Sequence, residues 1–115
     1  MDYLAERLKA LSDSTRLRLI SLLGHGELCV CDLMEALHLP QSKVSRHMSI
    51  LKKTGWVVSK RKGKWIYYQL GKPINPIQAR ILTMLRNDLS QIKQPIKDYQ
   101  NLLNFLKTKH TEECD

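Results

Sequence analysis

Leu39-Pro40-Gln41-Ser42-Lys43-Val44-Ser45-Arg46-His47-Met48-Ser49-Ile50-Leu51-Lys52-Lys53-Thr54-Gly55 reads as one helix with two unlike faces. Pro40 breaks whatever precedes it, Gln41 or Ser42 starts the helix and Gly55 stops it. Val44, Met48 and Leu51 recur at helical spacing and form an apolar stripe. The first turns carry Gln41, Ser42, Lys43, Ser45, Arg46 and His47, all polar or basic. Just upstream, Val30, Leu33, Met34 and Leu37 share one side of a shorter helix over 30–37. Two short helices joined by a tight turn, the second polar and basic on its free face, make a helix-turn-helix pattern.

Moving outward toward the N-terminus, Leu4, Leu8 and Leu11 predict a helix over about 2–11. Ser12, Asp13 or Ser14 can cap the next one, because each side chain offers an oxygen to the free N–H groups of a first turn. Leu17, Leu19, Ile20 and Leu23 give that helix its apolar face, and Gly24-His25-Gly26 ends it. Past Gly55 the period changes. Trp56 to Lys60 and Trp65 to Leu70 are rich in β-branched and aromatic residues around Arg61-Lys62-Gly63-Lys64. That pattern predicts a β-hairpin with glycine in its turn. Its aromatic residues suit core and cross-strand packing better than a stacking platform for single strands. Ile77, Ile81, Leu85, Leu89 and Ile92 then mark a long helix, which Pro95 is expected to kink or break. Ile96, Tyr99, Leu102, Leu103 and Leu106 resume the pattern to about Lys107. The expected architecture is mainly α with a small β-hairpin, a winged helix-turn-helix. It occupies one domain over 1–107, with a flexible tail over 108–115.

The charge balance points to a polyanionic partner. The 115 residues hold 19 Lys and Arg against 11 Asp and Glu, a net charge of +8, and the pI is about 9.6. No stretch approaches the ~20 apolar residues of a membrane span, and no secretory signal is recognisable at the N-terminus. Three cysteines, two of them only two residues apart, make a poor disulfide framework for a secreted domain. A reducing cytoplasm is the expected location, with no membrane partner. Neither a Gly-rich phosphate cradle nor a nucleophile-and-base constellation is evident, so no enzyme and no organic cofactor are expected.

The expected partner is double-stranded operator DNA. The first turn of the second helix in such a motif reaches base edges in the major groove. Gln can pair with adenine, Arg and Lys with guanine, and Ser with phosphate or base. Gln41, Ser42, Lys43, Ser45, Arg46 and His47 are therefore candidate contacts, His47 to phosphate or to the protein's own packing. The hairpin tip adds Lys60, Arg61, Lys62 and Lys64 as phosphate contacts, which supply affinity without sequence choice. A two-fold dimer would place two such helices about 34 Å apart, one DNA turn. Leu4, Leu8 and Leu11 with Ile77 to Ile92 carry more apolar surface than a small wing domain needs. They are the expected homodimer interface.

Cys29 and Cys31 fall at or just before the first turn of the short helix. Thiolates are soft ligands for As(III), Sb(III), Cd(II), Zn(II) or Cu(I), and helix N-terminal N–H groups favour the thiolate. In a regular helix two residues apart point about 200° away from each other. Both sulfurs would therefore meet one ion only if this turn were extended or unwound, and binding would be expected to distort the helix.

Three runs carry a specific resemblance: Glu27-Leu28-Cys29-Val30-Cys31-Asp32-Leu33, Ser42-Lys43-Val44-Ser45-Arg46-His47 and Gly63-Lys64-Trp65-Ile66-Tyr67-Tyr68. With Asp13-Ser14-Thr15-Arg16-Leu17, they closely resemble the ArsR/SmtB family of bacterial metal-responsive repressors, most of all its arsenite-responsive branch. The likeness covers residues 3 to about 72. It implies a homodimeric repressor that leaves its operator when As(III) or Sb(III), acting as inducer, binds Cys29 and Cys31. One departure stands out. The arsenite motif of the family has a third cysteine where this chain has Met34, a weak uncharged ligand. Cys114 is then either a third ligand, from this chain or its partner, or a bystander. His110, Glu112 and Glu113 beside it read as a solvated tail. Two other readings stay open: a thiol redox-sensing repressor, and a DNA-binding protein that ignores ligands.

Overall fold

In the computed structural model, which describes residues 1–108, Asp13 caps the second helix as its sequence suggests. Its carboxylate accepts from the Arg16 backbone N–H at 3.1 Å, so one orphan donor of the first turn is satisfied. The order of elements is α1 (Asp2–Ala10), α2 (Ser14–Leu23), β1 (Leu28–Cys29), α3 (Val30–Leu37), α4 (Gln41–Lys53), β2 (Val57–Lys62), β3 (Trp65–Leu70), α5 (Pro76–Asp88) and α6 (Lys93–Thr108). A short 3-10 turn, Leu89–Gln91, separates α5 from α6.

The expected hairpin is present as β2 and β3, paired from Val57↔Leu70 to Lys62↔Trp65. The sequence reading missed a third strand. β1 is only two residues long, and it pairs with β3 through Leu28↔Tyr68 and Cys29↔Tyr67, giving an antiparallel sheet in the order β1-β3-β2. Two residues are too few to show a period, so alternation cannot reveal such a strand.

The core gathers α2, α3, α4 and the root of the wing. Leu19, Leu22, Leu33, Met48, Leu51 and Trp56 are almost wholly buried. The indole of Trp56 donates to the Arg7 carbonyl at 2.8 Å, which ties α1 to the start of the wing. Arg7 itself is buried and donates to the Gln78 side chain at 2.9 Å, and Gln78 donates onward to the Gly55 carbonyl at 3.1 Å. Gly55 sits at φ +85, and an added Cβ would stand 2.4 Å from Arg7 Nη1. The stop signal read at Gly55 is thus also a close-packing requirement between α4 and α1.

Pro95 does not kink a continuous helix. The chain leaves helical geometry earlier, at the extended Ile92, and restarts at Lys93. Pro95 then falls in the first turn of α6, where a missing N–H costs nothing. α6 folds back onto its own chain. Arg18 of α2 grips the fully buried Asp98 with two charge-assisted hydrogen bonds, 2.8 and 2.9 Å, and Asn101 donates to the Ala36 carbonyl of α3 at 3.1 Å. The His25 and Tyr99 rings stack at 3.7 Å.

These contacts revise the expected dimer surface. Leu11, Leu82 and Leu89 are buried within the chain, and Ile81 and Leu85 pack against its core. The apolar residues left outward on α1 and α5 are Tyr3, Leu8, Ile77 and Met84. α6 runs to Thr108, one residue beyond the expected domain end. The rest of the expected tail, with His110, Glu112, Glu113 and Cys114, lies outside the described residues.

Candidate DNA face and thiol site

α4 presents the two faces read from its sequence. Val44, Met48 and Leu51 are fully buried, while Gln41, Ser42, Lys43 and Arg46 are exposed. Ser45 is half-buried. His47 stands apart from the other expected contacts, because α2 already holds it. Its Nδ1 lies 3.2 Å from Arg16 Nη1 and 3.9 Å from the Asp13 carboxylate, and its side chain is 14% exposed. Desolvation pushes the His47 pKa below its ordinary value. Asp13 opposes that shift, and Arg16, Arg46 and Lys43 add to it. Burial acts to raise the Asp13 pKa, but the Arg16 backbone N–H and the charges of Arg16 and His47 leave it lowered. His47 thus fastens α4 to the N-terminus of α2 instead of standing free toward a groove. The sequence signal for this was the Asp13 capping motif, which was read only as a helix start.

On the wing, Lys60, Arg61, Lys62 and Lys64 are all exposed around Gly63, whose φ of +65 the tight turn requires. Lys62 is not a free charge. It donates to Glu27 at 2.5 Å and lies 4.8 Å over the Tyr67 ring. That ion pair clips the wing to the loop before β1.

The cysteines meet. Cys29 Sγ and Cys31 Sγ are 2.8 Å apart, both residues are buried, and Trp65 and Tyr67 of β3 pack against them. The expectation that α3 must unwind to bring them together is corrected here. The 200° divergence holds only when both residues are helical. Cys29 is the N-cap, with extended backbone at φ −85 and ψ 161, and only Cys31 lies inside the helix. The strand-to-helix corner therefore turns both sulfurs to one side with α3 intact.

Asp32 holds that corner and was not among the residues picked from the sequence. Its carboxylate accepts from the Cys29 backbone N–H at 2.9 Å, completing a capping box with the Cys29 side chain over the third helical residue. A ligand atom from each of Cys29, Cys31 and Asp32 lies within 4.8 Å of the other two. An acidic residue three places after a helix N-cap was the available signal; cysteine at the cap in place of Ser or Thr obscured it. Met34, which replaces the expected third cysteine, is half-buried against the core. It also borders a crevice of about 220 Å³ with Val30, Cys31, Gln41, Ser45 and Trp65 among its walls. The crevice lies between the thiol corner, the start of α4 and the wing.

Residues 13–59 match the family model described as bacterial regulatory protein, arsR family. The chain is 44% identical over 75 residues to the arsenical resistance operon repressor of Escherichia coli K12, covering 64% of each chain. It is 42% identical over 67 residues to an uncharacterised HTH-type transcriptional regulator of Methanocaldococcus jannaschii, covering 57% of this chain and 75% of that one. The matches span about half to two-thirds of the length of the first arsenic-resistance relatives. Among solved structures, the homodimeric winged helix-turn-helix DNA-binding domain Mb0332 from Mycobacterium bovis superposes with a TM-score of 0.64 at 27% identity, covering 78% of this chain and 81% of that one. No helix among the described residues is long and apolar enough to cross a membrane. Helix-turn-helix, wing and cysteine corner thus occur together in a chain that belongs to the arsR family of bacterial regulatory proteins, a family of regulators and not of enzymes.

Proposed function

We propose that this protein is a homodimeric, cytoplasmic repressor that binds double-stranded operator DNA and releases it when trivalent arsenic or antimony bridges Cys29 and Cys31. The observation that carries the reading is the convergence of the two sulfurs at the β1–α3 corner, with the Asp32 carboxylate beside them. Two thiolates supply the soft donors such an ion selects, and a third donor comes from Asp32 or from Cys114.

DNA binding falls to Gln41, Ser42, Lys43, Ser45 and Arg46 in the major groove, and to Arg61, Lys62 and Lys64 on phosphates. Tyr3, Leu8, Ile77 and Met84 provide the outward apolar surface for the second copy, in keeping with the homodimeric Mycobacterium bovis neighbour.

The corner offers a route from thiols to DNA. Cys29 is paired to Tyr67 on the wing strand β3, while Cys31 belongs to α3, which packs on α4. An ion imposing its own sulfur–sulfur separation shifts the wing relative to the helix pair. If the bound ion disfavours the DNA-competent geometry, then DNA disfavours the ion by the same factor.

The test is operator binding measured against arsenite for the wild type, Cys29→Ser, Cys31→Ser and Cys114→Ser. The first two variants are expected to bind DNA and not release it. Wild-type affinity that is equal with and without arsenite would sink the reading in favour of a ligand-independent DNA-binding protein. The 2.8 Å sulfur contact also favours a redox reading, in which the pair is oxidised to a disulfide. Release by peroxide and not by arsenite would select it.

A further inference from the structure

The crevice beside Cys31 bears on which arsenicals this site takes, and the inference rests on the two-thiol reading above. Inorganic As(III) has three exchangeable oxygen ligands. An organoarsenical of the form R–As(OH)2 has two, because its third bond is to carbon. Among the described residues only Cys29 and Cys31 bring sulfur to this corner, and the next turn of α3 supplies Met34, whose thioether carries no charge to replace a hydroxide. Two thiols are the complete complement for R–As(III). The exchange balances without an oxidant: two S–H and two As–O bonds break, two As–S bonds form, and two water molecules leave. The As–C bond is untouched.

The carbon substituent then needs a place, and one adjoins the sulfur. The crevice has Cys31 in its wall and a volume of about 220 Å³. A cavity of about 150 Å³ lined by apolar side chains holds a benzene, so a phenyl group fits the space available. Val30 and Met34 line it from α3, and Trp65 and Ile66 line it from the wing strand. Its remaining edge is Gln41 and Ser45, from the DNA-reading turns of α4. We infer that the Cys29–Cys31 site takes monosubstituted trivalent organoarsenicals in preference to inorganic arsenite, with the organic group seated in the crevice between α3, α4 and the wing. A group seated there stands between the two elements assigned to DNA contact and forces them to new positions directly. Release then requires less of the sulfur geometry alone.

Phenylarsine oxide and sodium arsenite serve as the paired probes. Each is titrated into the reduced full-length protein, with Trp65 fluorescence reporting binding, and then into its complex with DNA. Phenylarsine oxide has its own advantage for any dithiol, so each affinity is divided by that for free dithiothreitol. The corrected preference for phenylarsine oxide is expected to exceed tenfold in the wild type. It should fall below threefold in Met34→Trp, which fills the crevice while leaving both cysteines in place. Ile66→Trp narrows it from the wing side and keeps the test decisive should Met34→Trp fail to fold. A corrected preference near one in the wild type, or one that survives in the folded crevice-filling variant, overturns the inference. Failure of the underlying two-thiol reading looks different: both probes bind Cys29→Ser and Cys31→Ser as tightly as wild type, or neither binds at all.

Discussion

On α4, Gln41, Ser42, Lys43 and Arg46 stand exposed on a regular helix whose opposite side is fully buried. At the β1–α3 corner, Cys29 and Cys31 are both buried, and what brings them together is a change of backbone conformation between one residue and the next. The first region works through which side chains face outward. The second works through where a strand stops and a helix begins. A substitution on α4 should therefore change one contact at a time. A substitution at the corner should change the positions of both sulfurs and of the wing strand they touch.

The largest effect expected from this contrast is at the cysteines. Replacing either by Ser should abolish arsenite-driven release while the DNA complex still forms, because no DNA-facing side chain is altered; electrophoretic mobility shifts with and without arsenite check it. Arg46→Ala should cost about 1–3 kcal/mol of DNA affinity and relax specificity at one base position. The fold-release by arsenite should be unchanged, which a titration of labelled duplex measures. If Arg46→Ala also removes the arsenite response, the two regions are not separable in this way.

Asp32→Ala sharpens the comparison from the other side. It removes the buried acceptor of the Cys29 N–H and should lower stability by about 1–2 kcal/mol in denaturant unfolding. Loss of the arsenite response out of proportion to that destabilisation would point to Asp32 as a ligand as well as a cap. On the wing, Arg61→Ala should weaken binding evenly across sequences and reduce the slope of log affinity against log salt by about 1. Lys62→Ala should do less at the DNA, since Glu27 already pairs with its charge.

The smallest effect is at His47. Burial disfavours its imidazolium in the folded chain, so its folded pKa lies below the ordinary 6.5. As pH falls through 6.5, the unfolded chain takes up the proton first. The stability present above that pH is lost as pH drops through the lower folded value. Thermal unfolding followed from pH 7.5 to 5 should show this decline, and His47→Gln should flatten it.

The order of helices, the turn at Pro40, the cap at Asp13 and the basic wing were all legible in the chain. Each depends on local chemistry: a period of apolar residues, a missing N–H, an oxygen at the right offset, a run of charge. β1 was not legible, because a two-residue strand exists only by virtue of its partner β3. The role of His47 was hidden for a similar reason. Asp13 and Arg16 are more than thirty residues away in sequence and meet it only when α2 packs on α4. The same holds for α6. Its periodicity announced a helix, and only the Asp98–Arg18 and Asn101–Ala36 contacts show which surface it covers.

The sequence by itself determined that this chain carries a helix-turn-helix with a basic wing and two neighbouring soft ligands, because residue type and spacing fix exposure and periodicity. Tertiary structure alone decided that the two sulfurs face each other, that Asp32 holds them there and that a crevice opens beside them toward α4 and the wing. Those facts follow from the extended backbone of one residue, Cys29, which is set by its pairing with Tyr67 thirty-eight residues later, and no local preference of Cys29 encodes it.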